Sequence, residues 1–307
     1  MRIVFFGTPE FAVASLNALL RERFTVAGVV TQPDKPQGRS RSTLVPPAVK
    51  LAALDAGLPI LQPALPVGDL FLASLRRLEA DLGVVVAYGH ILRREVLEAP
   101  ARGMINVHAS LLPRFRGAAP IQHAILAGDQ ETGISIMKME EGLDSGPVLH
   151  RVSIPIADGE TGGTLTTRLA ALGASALVEA LALLSARAER PEPQDACAAT
   201  YGPKISRETA RLDWTRDAVS LERQVRAFDP VPGAWTSLDG APVKLFGGMP
   251  AVGVGEPGAV LAASDRLVVA GGAGAIAVSE VQPAGRNRLT VEEWVRGRGI
   301  ATGSRFE

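Results

Sequence analysis

The sequence predicts an α/β protein with an open, mostly parallel sheet in its first part and a small antiparallel β-barrel in its last third. Two observations lead to this prediction. Along residues 1–189, short apolar runs alternate with amphipathic segments, which is the pattern of strands and helices in a parallel sheet. Beyond residue 230, short strand-like runs are separated by closely spaced Gly and Pro residues, as in small barrels.

The first predicted strand is the apolar run Arg2–Gly7, which is typical of a buried parallel strand. Thr8 and Pro9 follow it, so we expect Thr8 to cap the next helix and Pro9 to occupy its first position. The other predicted strands are 24–32, 81–89, 103–109, 133–140 and 146–156, and the predicted helices are 10–20, 47–56 and 163–186.

A proline-rich polar segment, 187–206, is interpreted as part of an interdomain linker. The predicted organisation is a first domain of residues 1–189, a linker of residues 190–208 and a barrel domain of residues 209–307. In the barrel domain a short amphipathic helix precedes the strand-like runs. The predicted elements are the helix 218–228 and the strands 233–238, 241–248, 258–264, 266–272 and 274–285.

The composition excludes several classes of protein. Hydrophobic residues make up 47% of the 307 residues and charged residues 21%, which indicates a folded chain with a sizeable core. The formal net charge is zero, so a nucleic-acid partner would need a local basic patch. One cysteine, Cys197, excludes an intramolecular disulfide. With neither a signal sequence nor an uninterrupted apolar run of about 18 residues, we expect a soluble, cytoplasmic protein without a membrane partner. A monomer is expected as well.

Nucleotide-cofactor motifs are missing from the sequence. The turn after the first strand reads GTPEFA, with one glycine where a dinucleotide fingerprint needs three, and the chain has no Walker A pattern. A nicotinamide-dependent dehydrogenase is therefore disfavoured.

Asn106 and His108 end a predicted strand, and a turn rich in Pro, Gly and Arg follows. Residues two apart share one face of a strand, so the two side chains either satisfy each other in a core or point together at a reacting atom. Most histidines taken alone are packed or surface residues, and His90, His123 and His150 fit that description. A carboxylate partner for His108 is available in Asp144, which lies between two glycines in a tight loop.

An Asn, His and Asp set of this kind suits acyl transfer. The Asn106 amide can donate to a developing oxyanion, and His108 can donate to it or move a proton at the leaving nitrogen. Asp144 can orient the imidazole. No Ser or Cys with an adjacent base stands out, so the pattern favours direct transfer to an acceptor amine over a covalent enzyme intermediate.

An ordered set of motifs gives the chain its resemblance to the methionyl-tRNA formyltransferases. In the first part these are FFGTPEFA, VVTQPDKPQGR, VVVAYGHIL, INVHASLLPRFRGAAPIQHAI and GISIMKMEEGLDSGPVL, and further on TYGPKIS, RLDW, RAFDPVPGAW and VQPAG. The resemblance spans nearly the whole chain. It implies formyl transfer from 10-formyltetrahydrofolate to the α-amino group of methionine on initiator tRNA. It also implies a Rossmann-like N-terminal formyltransferase domain and a C-terminal domain resembling an OB-fold.

The resemblance also implies site residues. Asn106, His108 and Asp144 are the catalytic trio, and no metal is expected. The folate-contacting segment is Ser110, Leu111, Leu112 and Pro113, and the folate pocket is walled by Ala87, Tyr88 and Gly89. Arg116 and Gly117 are expected to give shape and positioning, and His123 is expected to lie on the following helix, outside the site.

A basic loop is the expected acceptor-stem contact of the tRNA, through Lys35, Arg39, Arg41 and Lys50. Ser40 and Ser42 flank Arg41 where the family usually has a denser pair of lysines, so the role of the loop is carried over rather than any one contact. Further expected tRNA contacts are Lys204, Arg207, Lys244, Arg286 and Arg288. Trp214 and Trp235 are interpreted as core aromatics and Cys197 as a structural linker residue.

Two alternatives stay open at this point. A formyltransferase for glycinamide ribonucleotide or for an amino sugar would keep the trio but should lack both the basic loop and the continuation into a barrel. A non-catalytic RNA-binding protein of the OB type would explain the C-terminal part but not a trio at a sheet edge.

Overall fold

The computed structural model describes residues 1–37 and 43–307. The chain divides into two compact units. The first unit consists of Met1–Pro120, Thr132–Ile154 and Thr166–Gly202, and the second of Ile121–Glu131, Pro155–Leu165 and Pro203–Glu307. The boundaries predicted from the sequence stay a prediction.

Strands and helices alternate through the first part of the chain. The strands are β1 (Arg2–Gly7), β2 (Thr25–Val30), β3 (Lys35–Gln37), β4 (Thr43–Val45), β5 (Ile60–Leu61), β6 (Leu82–Val86), β7 (Met104–His108), β8 (Glu131–Lys138) and β9 (Val148–Pro155). The helices are α1 (Glu10–Arg21), α2 (Ala48–Asp55), α3 (Asp69–Arg76), α4 (Arg94–Leu97), α5 (Pro120–Ala127) and α6 (Gly162–Ala186).

Seven of these strands form one open sheet in the order β5-β2-β1-β6-β7-β8-β9. Strands β5, β2, β1, β6 and β7 pair in parallel, whereas β8 runs antiparallel to β7. The predicted mostly parallel sheet is therefore confirmed. In this sheet β2 lies on one side of β1 and β6 lies on the other side. The strand order therefore reverses between β1 and β6, and this position is a topological switch point. Ligands of open α/β sheets bind in the crevice beyond the strand ends at such a point.

The structure adds elements that the sequence patterns did not predict. The strands β3, β4 and β5 and the helix α4 have two to four residues each, too few for a hydrophobic period to be read. The eight-residue helix α3 also went unpredicted. The prediction that Thr8 caps α1 is wrong. Pro9 is the N-cap residue and makes no side-chain cap, while Thr8 Oγ1 donates to the carbonyl oxygen of Tyr88 at 2.9 Å.

Helix α6 packs close to the strand that carries Asn106 and His108. At Gly173 an added Cβ would lie 3.1 Å from Cγ1 of Val107, so the glycine lets the helix approach β7. Leu169, Leu177 and Leu181 of this helix are fully buried. Among the described residues, α6 alone is long and apolar enough to cross a membrane by length and composition, with a mean hydropathy of 1.9, and 44% of that window is buried. The burial of these leucines is what a core helix requires.

The last third of the chain is built from short antiparallel strands. Its elements are α7 (Ala218–Ala227), β10 (Ala234–Leu238), β11 (Ala241–Phe246), β12 (Met249–Ala251), β13 (Val260–Ala263), β14 (Leu267–Ala270), β15 (Ala275–Val278), β16 (Glu280–Pro283), β17 (Leu289–Thr290) and α8 (Val291–Arg296). They form two four-stranded sheets, β10-β11-β16-β17 and β12-β15-β14-β13. The single predicted strand 274–285 is two strands, which belong to different sheets on either side of Ser279.

The two tryptophans of this part that the sequence analysis assigned to the core differ in their surroundings. Trp214 is a core residue, as predicted, because it is 4% exposed and stacks on Phe306 with ring centroids 5.7 Å apart. Its indole N–H donates to Thr236 Oγ1 at 2.9 Å. Trp235 is only partly buried, so its interpretation as a core aromatic is wrong.

Tyr88 provides a test of the core of the first unit. The side chain is 1% exposed and lies edge-on to Phe6, and its hydroxyl has no hydrogen-bond partner among the described residues. Burial raises the pKa of Tyr88 to about 12 from its usual 10.0. In the unfolded chain this tyrosine ionises near pH 10, so its contribution to stability is complete below pH 10 and is lost as pH rises through about 12.

We therefore expect the free energy of unfolding, measured by urea titration, to decrease less between pH 9 and 11.5 in Tyr88→Phe than in the parent protein. At pH 8 the variant should be as stable as the parent or more stable by about 1 kcal/mol, because an unpaired buried hydroxyl is removed. Tyr201→Phe is the matched control, since Tyr201 is 59% exposed. If the free energy of unfolding decreased with pH equally steeply in the parent and in Tyr88→Phe, this account of Tyr88 would be contradicted.

Candidate active site

Strand β7 and the loop after β8 bring together Asn106, His108 and Asp144. The side chain of His108 is 6% exposed and that of Asp144 is 16% exposed. Nδ2 of Asn106 donates to Oδ1 of Asp144 across 3.4 Å, and Nδ1 of His108 lies 3.6 Å from Oδ2 of Asp144. The Asp144–His108 contact is an ion-pair distance rather than a hydrogen bond. The three residues predicted to act together therefore share one cluster.

The imidazole of His108 is oriented by a backbone carbonyl on its far side. Nε2 lies 3.0 Å from the carbonyl oxygen of Phe115. A carbonyl can only accept, so Nε2 carries the hydrogen in this contact. Nδ1 is then the ring nitrogen that faces Asp144, and in the protonated imidazolium both N–H groups have an acceptor. The Nδ1 side of the imidazole is therefore the side that faces a carboxylate.

Asp144 is held in an unusual backbone conformation. Its φ is +49°, in the left-handed region that costs most residues about 1–2 kcal/mol. The N–H of Gly117 donates to Oδ2 of Asp144 at 2.8 Å. Gly117 itself has φ +114°, and an added Cβ would lie 3.0 Å from the carbonyl oxygen of Gly202. A glycine is therefore required at the position whose N–H holds the carboxylate.

The side chain of Gln194 holds the same loop by hydrogen bonds to backbone carbonyls of the loop. Its Nε2 donates to the carbonyl oxygens of Asp144 at 2.9 Å and Gly146 at 2.7 Å. Its Oε1 accepts from Nε and Nη2 of Arg116 at 3.0 and 2.9 Å. Gln194 was not among the predicted site residues, because a single glutamine in a proline-rich polar segment carries no periodic or motif signal.

The segment after Gln194 also pairs with the loop that follows β7. Arg116 donates its N–H to the carbonyl of Thr200 at 2.9 Å and accepts from the N–H of Gly202 at 2.8 Å. The N–H of Phe115 donates to Oγ1 of Thr200 at 2.9 Å. The positioning expected of Arg116 and Gly117 therefore has a structural basis, and residues of the predicted linker supply it.

The predicted folate segment is only partly available to a ligand. Ser110 is 1% exposed and its Oγ donates to the carbonyl of Arg114 at 2.6 Å. Leu112 is 2% exposed, and its N–H donates to Oγ of Ser135 at 3.0 Å. Leu111 and Pro113 are half-buried, so a ligand here would touch those two side chains or the backbone.

At the switch point, one side-chain hydroxyl and one side-chain amide from the ends of β1 and β2 bind the backbone that follows β6. The carbonyl of Tyr88 accepts from Oγ1 of Thr8 and from Nε2 of Gln32, both at 2.9 Å. Because the ring of Tyr88 is buried in the core, only Ala87, Gly89 and the backbone of this stretch are exposed. A folate wall at Ala87, Tyr88 and Gly89 would be formed by main chain.

The predicted basic residues of the first unit differ in their surroundings. Lys35 lies on β3, which pairs with β4 in a short antiparallel hairpin. Nζ of Lys50 contacts both carboxylate oxygens of Asp34 at 2.7 and 2.8 Å. This hydrogen bond is the main reason that the pKa of Asp34 lies below its ordinary value. Arg39 and Arg41 lie outside the described residues.

The basic residues of the second unit fall into two groups. Arg288 contacts Asp229 at 2.7 Å and Glu280 at 2.5 Å, and its guanidinium lies 4.0 Å from the ring centroid of Phe246. Lys204, Arg207 and Arg286 are exposed and Lys244 is half-buried. His123 lies on α5, as predicted. Across residues 1–37 and 43–307, no three His, Cys, Asp or Glu side chains are grouped so as to hold a metal ion.

Comparison with known proteins assigns a family. Residues 1–181 match the formyl transferase family, and residues 204–299 match the formyl transferase C-terminal domain. The chain belongs to the formyl transferase family, which confirms the fold class. The methionyl-tRNA formyltransferase of Pseudomonas paraeruginosa is 51% identical to it over 299 residues, 97% of this chain and 96% of the relative. The resemblance to the methionyl-tRNA formyltransferases is thereby confirmed.

Solved structures share the fold at lower identity. HypX from Aquifex aeolicus in complex with tetrahydrofolic acid has a TM-score of 0.65 and 20% identity, and the match covers 97% of this chain and 47% of that one. The methionyl-tRNA formyltransferase from Clostridium thermocellum has a TM-score of 0.59 and 14% identity, over 83% of this chain and 95% of that one.

The position of Asp144 should depend on Gln194. Gln194→Glu keeps an acceptor for Arg116 but removes both N–H donors to the Asp144 and Gly146 carbonyls. We expect the Gly117 amide to exchange with deuterium about 30-fold faster, because two hydrogen bonds of about 1 kcal/mol each are lost. Gln130→Glu is the matched control, since Gln130 is exposed. An unchanged Gly117 exchange rate in Gln194→Glu would show that Gln194 does not hold the Asp144 loop.

Proposed function

We propose that this chain transfers the formyl group of 10-formyltetrahydrofolate to the α-amino group of methionine on initiator tRNA. The observation that carries the proposal is the Asp144 carboxylate within 3.4 Å of Asn106 and 3.6 Å of His108, in a chain 51% identical to a methionyl-tRNA formyltransferase. A carboxylate, an imidazole and an amide donor are the groups that direct acyl transfer to an amine requires.

The chemistry assigned to the trio is the following. The neutral amine attacks the formyl carbon, and the carbonyl oxygen becomes an oxyanion, to which Asn106 Nδ2 donates. The attacking nitrogen loses one proton to the Asp144–His108 pair. The oxyanion then re-forms the carbonyl as the bond between the formyl carbon and the folate nitrogen breaks, and the Asp144–His108 pair returns the proton to that leaving nitrogen. Asp144 stabilises the imidazolium in which both ring nitrogens of His108 donate.

The co-substrate is assigned to the switch-point crevice and the segment after β7. Ser110, Leu112 and the main chain of Ala87, Tyr88 and Gly89 shape this crevice, while Leu111 and Pro113 contact the folate. The formyl donor is a co-substrate rather than a resident cofactor, and we assign no metal to the reaction. We also propose that the protein acts as a monomer in the cytoplasm.

The tRNA is assigned first to the basic residues that form no ion pair with a carboxylate in the described part of the chain. These are Lys35 in the first unit and Lys204, Arg207, Lys244 and Arg286 in the second. We also assign to it the predicted contacts Arg39 and Arg41, which lie outside the described residues. Lys50 and Arg288 sit in ion pairs, so phosphate binding by either requires exchange of a partner and should contribute less. Each phosphate neutralised adds about 0.7–0.9 to the magnitude of the log–log salt dependence of tRNA affinity.

The alternatives carry different expectations. A formyltransferase for glycinamide ribonucleotide or an amino sugar would use the same trio with another amine. The identity to methionyl-tRNA formyltransferases extends over 97% of the chain, which favours tRNA. A non-catalytic RNA-binding protein would have no use for the Asp144 cluster.

Replacing a residue of the trio should slow transfer strongly while leaving the fold intact. We expect Asn106→Ala and Asp144→Ala each to slow single-turnover formylation of initiator methionyl-tRNA about 100-fold or more, the usual loss for one oxyanion donor or its orienting charge. Asn17→Ala and Asp55→Ala, at exposed helical positions, are matched controls and should keep parental rates. Circular dichroism should be unchanged in all four.

The choice of acceptor is tested in the same assay with charged initiator tRNA, charged elongator methionine tRNA, glycinamide ribonucleotide and an amino sugar nucleotide. Initiator tRNA should react fastest by a wide margin. Formylation of a ribonucleotide or sugar amine with neither tRNA modified would overturn the proposal.

A further inference from the structure

The second unit contains a groove beside Trp235 that the catalytic chemistry does not use. Its volume is about 420 Å³, and its walls include Arg207, Trp235, Lys244, Gln282 and Arg286. This volume lies within the range of about 300–1,000 Å³ that small-molecule sites occupy. We call it the Trp235 groove.

The lining of the groove is positively charged. Three cationic side chains line it, and no carboxylate does so among its lining residues. Across residues 1–37 and 43–307, neither Lys244 nor Arg286 has a carboxylate within 4.0 Å. Arg288, two residues from Arg286, is neutralised by Asp229 and Glu280 and does not line the groove. Two nearby arginines of this unit therefore differ in whether their charge is available to an anion.

Trp235 supplies a fixed aromatic surface in this groove. Its indole N–H donates to the carbonyl of Arg207 at 2.7 Å, which holds one edge of the ring. The guanidinium groups of Arg207 and Arg211 lie 5.1 and 5.5 Å from the ring centroid. Trp235 on β10 is paired with Lys244 on β11, so the two side chains lie on the same face of this sheet. A ligand that combines a flat ring with a negative charge is therefore complementary to this groove.

We propose that the Trp235 groove holds one unstacked nucleotide of the bound tRNA, with its base against Trp235 and Arg207 and its phosphate on Lys244 and Arg286. This inference rests on the proposed function and deepens it. Phosphate contacts alone would leave Trp235 without a role, whereas stacking on an aromatic ring is how proteins bind unpaired bases of any sequence. The second unit would then contact a base of the tRNA as well as its phosphates, whereas its basic residues alone predict only phosphate contacts.

The two kinds of contact have different salt signatures. Trp235→Leu should weaken initiator-tRNA binding about tenfold at every salt concentration, with an unchanged log–log slope, because stacking releases no counterion. Lys244→Gln should lower the magnitude of the slope by about 1. Trp235→Phe should bind within about threefold of the parent, since the smaller ring still stacks. Arg305→Gln, an exposed arginine that does not line the groove, is the control and should leave affinity unchanged.

Fluorescence of the parent provides a second readout that needs no destabilising substitution. Binding of tRNA should quench part of the tryptophan emission, and Trp235→Phe should remove that quenching. Equal affinity in parent and Trp235→Leu, or quenching that persists in Trp235→Phe, would overturn the groove proposal. Parent protein that neither binds nor formylates initiator tRNA would instead overturn the proposed function, so the two failures are distinguishable.

Discussion

The carboxylate of Asp144 joins parts of the chain that are far apart in sequence. Its oxygens face Asn106 and His108 at 3.4 and 3.6 Å, and one of them accepts the Gly117 N–H at 2.8 Å. The backbone of Asp144 is left-handed, and contacts from outside its loop hold it. Gln194 supplies two of them, and the geometry of the trio depends on this arrangement.

The rigid part of the site is the strand. β7 lies between β6 and β8 in the sheet, and α6 packs on it at Gly173. Asn106 and His108 are two residues apart on this strand, so the pleat directs both side chains to one face. Side chains on packed strands are positioned more accurately than side chains on loops. Asn106 and His108 are therefore the fixed residues of the site, and the loop positions Asp144 against them.

Local patterns predicted the sheet and the long helices, since strand period and helix period are visible along the chain. They marked Asn106, His108 and Asp144 as a candidate set, and the family resemblance then implied that the three form one site. Contacts between distant segments were not predictable in the same way. Gln194 acts through four hydrogen bonds to two loops, and nothing in the sequence around Gln194 predicts these bonds. The sequence also treats all cations alike, whereas Lys50 and Arg288 are paired with carboxylates and Lys244 is not. Trp235 was assigned to the core because composition does not reveal which face of a short strand is covered.

The most direct test of the central claim is a double-mutant cycle in single-turnover formylation of initiator methionyl-tRNA. If Asn106 and Asp144 act as one unit, the variant that carries both Asn106→Ala and Asp144→Ala should be about as slow as the slower single variant. A rate reduction equal to the product of the two single reductions would mean that the residues act independently. That result would contradict a site organised around the Asp144 carboxylate.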